Sequence, residues 1–211
     1  GLLLEYAAII LFFLIISSID SSQRARKAEY QYLSLQNQLN PHFLINSLNV
    51  LDGLIMTDRK EEANLYLHKL SDILQYRMMT EDTPLITLEK EMSNVTNYID
   101  LLNIRFGSSL KVENDINKAD LQTFVVPCTI QLLVENAVKH NALMENRPLH
   151  ISISSDTLDI TVSNNLIPRF SKSKSSGLGL HYIKEQYKMH SDREMQILNN
   201  DEYFIVKIPI L

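Results

Sequence analysis

Gln38-Leu39-Asn40-Pro41-His42-Phe43-Leu44-Ile45-Asn46 sets one histidine directly after a proline within an otherwise helix-forming run. Proline removes a backbone donor and crowds the preceding turn, so an imidazole beside it reads as a side chain presented rather than packed. Upstream, Ala25, Ala28, Tyr32, Leu35 and Leu39 recur at the alternating three-and-four spacing of a coiled-coil seam. Downstream, Phe43, Leu44, Leu48, Leu51 and Leu54 continue a broad apolar face, which predicts a helix kinked at Pro41 and not ended there. Thr57-Asp58-Arg59-Lys60 reads as a turn, and Ala63, Leu67, Leu70 and Leu74 as a second seam. Residues 22–80 are therefore expected to form a helical hairpin. Its apolar stripes close only in a bundle, most simply four helices from two copies.

The first residues have a different character. Tyr6 to Ile16 is continuously apolar, Leu2 to Leu4 extend it past Glu5, and from Leu2 to Ile19 the stretch approaches the ~20 residues that cross a bilayer. Arg24, Arg26 and Lys27 follow at once, which by the positive-inside rule places residues 22–211 in the cytoplasm. A secretory signal would carry its positive charge before the apolar run and small residues at a cleavage site, and neither is present. Residues 1–21 read as a membrane segment. Because the chain opens on Gly1, that segment is expected to be the last of a longer sensor.

Composition narrows the class further. The 211 residues are 45% hydrophobic and carry a net charge of −5, with basic residues scattered rather than gathered in a stripe, so nucleic acid is not an expected partner. The single cysteine, Cys128, lies beside Pro127 in an apolar run and reads as a small core residue. The six histidines lack ligand spacing, so no structural metal is expected.

Thr80 to Pro84 is polar and ends in proline, marking a domain boundary. Beyond it, Thr87 is placed to cap a helix carrying Leu88, Met92, Val95, Ile99 and Leu102 on one face and ending near Gly107. Pro127 opens a helix running to about His140. Ile151 to Ser154 and Leu158 to Val162 read as a strand hairpin, and Ser171 to Ser176 as a loop. A helix from Leu180 to His190 and strands Met195 to Leu198 and Tyr203 to Ile208 complete an α+β fold, an α/β sandwich over 81–211.

Three groups of residues carry candidate chemistry. A neutral imidazole with a pKa near ~6.5 accepts a phosphoryl group if solvent can reach it, which suits His42 on a hairpin's outer face. In Leu133-Val134-Glu135-Asn136-Ala137-Val138-Lys139-His140, the Asn136 amide oxygen is a hard donor suited to Mg²⁺. Lys139, about one turn on, would aim at the same phosphates, and His140 would line the pocket. In Gly177-Leu178-Gly179-Leu180, the missing side chains of Gly177 and Gly179 would let backbone N–H groups approach phosphate at a helix start.

In this order the three motifs resemble the phospho-acceptor box, N box and second glycine box of LytS-like (YehU-type) sensor histidine kinases, over nearly everything after residue 22. The resemblance implies a homodimer with a phospho-accepting hairpin, followed by a GHKL-type ATPase domain, the type shared with gyrase and Hsp90. It implies ATP and Mg²⁺ as cofactors, His42 as acceptor, Asn136 as magnesium ligand, Lys139 and His140 as nucleotide contacts, and Gly177 and Gly179 as the hinge of an ATP lid. A response regulator aspartate would take the phosphate next, with the chain anchored in a bacterial inner membrane. Two positions depart from the pattern. Ser163-Asn164-Asn165-Leu166 replaces the usual Asp-x-Gly-x-Gly, leaving Asn164 to read adenine through an uncharged acceptor, and Phe43 stands where an acidic base often follows the histidine. Glu135 and Asn46 remain candidates for proton handling. The alternative is a degenerate nucleotide-binding scaffold that dimerises and relays a signal without catalysis.

Overall fold

The hairpin's two helices are α1 (Pro41–Met56) and α2 (Lys60–Met79), joined by a turn in which Asp58 takes a left-handed φ of 57°. A computed structural model describes residues 41–169 and 178–211. The apolar run 1–21, the seam from Ala25 to Leu39, the loop Ser171 to Ser176 and Gly177 lie outside the described residues. Among the described residues no helix is long and apolar enough to cross a membrane.

Ala63, Tyr66, Leu70, Ile73 and Arg77 bury one face of α2 at three-and-four spacing, and Ser47 and Leu54 of α1 are buried as well. The apolar residues of the hairpin do not share a single stripe. Leu48 and Leu67, expected on the seams, are half or more exposed, as are Ile45 and Ile55. A second apolar face is thus left open to solvent, with the first committed to the rest of the chain.

α2 packs along α3 (Leu88–Phe106). Thr87 caps α3 by accepting from the Lys90 N–H at 3.4 Å, and Gly107 closes it at a positive φ of 51°, where a side chain would be strained. Lys69 of α2 bonds Asp100 of α3 at 2.6 Å. A short antiparallel pair, β1 (Ile86–Thr87) with β3 (Phe124–Val125), brackets the start of α3.

The sheet contains a strand the pattern did not announce, β2 (Leu110–Asp115), running parallel to β4 (Leu149–Ser155). Then come β5 (Asp159–Asn165), β7 (Tyr203–Pro209) and β6 (Gln196–Asn199), all antiparallel to their neighbours, in the order β2-β4-β5-β7-β6. Alternation selects the faces. Leu149, Ile151, Ile153, Ile160 and Val162 are buried, while the residues between them are less so. α4 (Thr129–His140) packs on β4, β5 and α5 (Leu178–His190), and α5 buries Ile183 and Tyr187. The result is a mixed α/β sandwich, in keeping with the expected α+β class. Among the described residues the hairpin consists of two helices, and the four-helix bundle expected from two copies goes beyond this single chain.

Candidate nucleotide site

The helix bearing Asn136 begins without a local cap. Cys128 precedes it at φ 60° and ψ 5°, and its side chain makes no capping bond. Glu91, fully buried on α3, performs that task from a distance. Its carboxylate accepts from the N–H groups of Cys128 at 2.9 Å and Ile130 at 3.0 Å, and from the Tyr76 hydroxyl. An anion at a helix N-terminus is favoured by the helix dipole and satisfies donors that would otherwise be orphaned. Burial pushes the Glu91 carboxyl upward, and the bonds from Tyr76 and the backbone oppose that shift. Burial likewise raises the thiol of Cys128, a half-buried residue, to about 12, which disfavours the reactive thiolate.

Further along α4, the Asn136 Nδ2 atom is buried without a hydrogen-bond partner among the described residues. Gly179, at the second position of α5, faces this amide: a Cβ there would sit 3.8 Å from Nδ2 and 3.9 Å from Oδ1. An unsatisfied buried amide beside a missing side chain is a fitting place for a phosphate and its metal ion, since rotating the amide offers either donor or oxygen ligand.

At its C-terminal end, α4 presents Lys139 and His140, both exposed. Arg169, which the sequence reading did not single out, donates from Nη1 to the Lys139 carbonyl at 2.5 Å. The imidazole of His140, though the residue is exposed, is partly shielded and held below its ordinary range, first by that desolvation and then by Lys139 and Arg169. Two cations, Lys139 and Arg169, therefore gather about a neutral imidazole one turn beyond Asn136, a field suited to polyphosphate. Asn141 locks this corner. Its Nδ2 donates to the Ala137 carbonyl at 2.9 Å, and its Oδ1 accepts from the Ile167 N–H at 2.8 Å, tying the end of α4 to the segment after β5.

Asn164 lies on β5, the strand that runs into this corner, 5% exposed, with its Nδ2 donating to the Asn165 carbonyl at 2.7 Å. His42 belongs to the first turn of α1. Glu135 does not face solvent: it pairs with Arg77 at 2.6 Å and accepts from Gln131 Nε2 at 3.0 Å. Gly179 and Asn136 are thus brought together, as are Lys139 and His140.

A family model described as histidine kinase matches residues 30–110. The Sensor protein LytS of Staphylococcus saprophyticus subsp. saprophyticus is 36% identical over 119 residues, covering 56% of this chain and 20% of that protein. The Sensor protein LytS of Staphylococcus epidermidis is 32% identical over 136 residues, covering 63% and 23%. That of Oceanobacillus iheyensis is 25% identical over 218 residues, covering 92% and 37%. The chain spans between 20% and 37% of the length of these three relatives. Among solved structures, the catalytic domain of histidine kinase ThkA aligns with a TM-score of 0.43 at 19% identity, covering 59% of this chain and 95% of that one. The cytoplasmic segment of histidine kinase QseC aligns at 0.44 and 17%, covering 60% and 76%. The family match and the curated relatives together support a histidine kinase transmitter region. The relatives that it resembles are sensor proteins of the LytS kind.

Proposed function

We propose that this chain is the transmitter of a two-component sensor kinase that phosphorylates its own His42 from Mg-ATP. In this reading residues 1–21 anchor the chain in a bacterial inner membrane, 22–80 form the dimerising, phospho-accepting hairpin, and 81–211 form a GHKL-type ATP-binding domain. The observation that carries the reading is the Asn136 Nδ2 atom, buried without a partner among the described residues, beside Gly179 and followed by the Lys139, His140 and Arg169 cluster.

Asn136 would hold the magnesium ion, which supplies charge neutralisation at the phosphates. Lys139, His140 and Arg169 would bind the polyphosphate, Gly177 and Gly179 would let the backbone close on it, and Asn164 would accept from the adenine amino group. The attacking imidazole nitrogen carries a lone pair and no proton. As its bond to the γ-phosphorus forms, the bond from that phosphorus to the bridging oxygen breaks and ADP leaves with the electron pair. The other ring nitrogen then gives up its proton to solvent. Positioning and electrostatics carry most of such a transfer. The phosphoryl group would pass to an aspartate of a cytoplasmic response regulator. Incubation with γ-labelled ATP tests this: wild type is expected to hold acid-labile label and His42→Ala none, and equal incorporation in both would overturn it.

A degenerate scaffold is the second reading, favoured by Asn164, an amide where a carboxylate would bind adenine more strongly. Titration with an ATP analogue separates the two. Mg-dependent binding weakened by Asn136→Ala supports the kinase, and binding indifferent to both supports the scaffold.

A further inference from the structure

One side chain joins the neighbour of the acceptor to the neighbour of the metal-binding amide. Phe43 follows His42, and Glu135 precedes Asn136. Between them lies Arg77 of α2, its side chain 6% exposed. Its guanidinium carbon sits 5.7 Å from the centre of the Phe43 ring, and its Nη2 donates to Glu135 Oε1 at 2.6 Å. Phe43 also leans on the Tyr98 ring, 5.9 Å between centres. Behind Glu135 the polar chain continues inward, from Gln131 Nε2 at 3.0 Å, whose own oxygen accepts from buried Asn94 at 2.8 Å. The contacts run without a break from the core of α3 through α4 and α2 to the first turn of α1.

We propose that Arg77 is a positioning residue for phosphoryl transfer: its ion pair with Glu135 and its packing on Phe43 hold the start of α1 against α4, setting His42 relative to a nucleotide at Asn136. This inference rests on the kinase reading above. The pair is shielded from water, so its two charges cannot part gradually without leaving one of them buried and alone, and the contact behaves as made or broken. Only arginine serves both partners, because its planar fork bonds a carboxylate at its edge while its face covers a ring. Glu135 is accordingly a structural anion and not a proton acceptor. Lys69 with Asp100, and Tyr76 with Glu91, fasten α2 to α3 independently. Loss of Arg77 therefore removes the coupling between α1 and α4 and leaves α2 docked.

The test uses the full chain in lipid nanodiscs and the pair Arg77→Met with Glu135→Gln, which removes both charges and strands neither. Three quantities are read: labelling rate at saturating Mg-ATP, affinity for a non-hydrolysable ATP analogue, and hydrogen exchange of residues 41–56 with and without that analogue. The expected result is an unchanged analogue affinity, a labelling rate lower by about 10²-fold, and loss of the exchange protection that the analogue confers on 41–56 in wild type. Should the double variant fail to fold, Arg77→Lys makes the same comparison, keeping the charge but not the fork, and is expected to show a smaller defect in rate with affinity intact. Wild-type labelling rate, or persistent protection of 41–56 in the variant, overturns the proposal. So does an affinity that falls in step with the rate, since that marks a merely structural role. A wild type that takes no label sinks the kinase reading instead, and the exchange measurement then decides the coupling by itself.

Discussion

Gly179 and His140 each couple one residue's chemistry to a measurable property. The space beside Asn136 exists because Gly179 has no Cβ, and the nearest amide atoms lie at ordinary contact distance from where one would stand. Gly179→Ala is therefore expected to leave the fold intact, raising its stability by up to about 1 kcal/mol through helix propensity. Nucleotide affinity is expected to fall as the cradle fills, which thermal melts and analogue titration together will check. His140 titrates below its ordinary 6.5 in the folded protein, so the folded state binds that proton less readily than the unfolded chain. Its contribution to stability is present above 6.5 and is lost as pH falls through that value toward the lowered one. Urea unfolding midpoints between about pH 5 and pH 8 are expected to decline on acidification, and less steeply in His140→Gln.

Among the elements, α4 depends most on a residue outside itself. Its first N–H groups are bonded by Glu91, a residue 37 and 39 positions away from those it caps. Glu91→Ala would leave those donors buried and unpaired, at a cost of about 3 kcal/mol, whereas Glu91→Gln keeps one acceptor and is expected to cost about half as much. Denaturant titration of the two variants measures the difference, and equal losses would mean the negative charge matters more than the acceptor count. Local signals sufficed for other elements. Thr87 and Gly107 mark the ends of α3 because caps act over one turn, and β4 and β5 are legible because burial alternates with period two. β2 escaped notice because only Leu110 of its six residues is buried, so no alternation marks it, and its parallel partner β4 lies far along the chain.

For the molecule as a whole, the open face of the hairpin is where the proposed dimer would form. Ile45, Leu48 and Ile55 are each more than half exposed on α1, with Leu67 half exposed on α2. The inward stripe of α2 is meanwhile committed to α3, so this second face is the one the proposed second copy would cover. Leu48→Glu with Ile55→Glu is expected to shift sedimentation from dimer to monomer with the circular dichroism spectrum unchanged. An unshifted dimer would place the interface elsewhere.

By itself the chain's order of residues determined the hairpin, the helix carrying Asn136 and the glycine, Gly179, that faces it. Those features are written in near-neighbour spacing, and near-neighbour spacing is what helical and strand periodicity report. Only the tertiary structure decided that Glu91 caps α4, that Arg169 joins Lys139 and His140, and that Arg77, packed on Phe43, reaches across 58 positions to Glu135. Charges and amides of this kind look like ordinary solvated surface in a sequence, and acquire a partner only when packing removes the water between them.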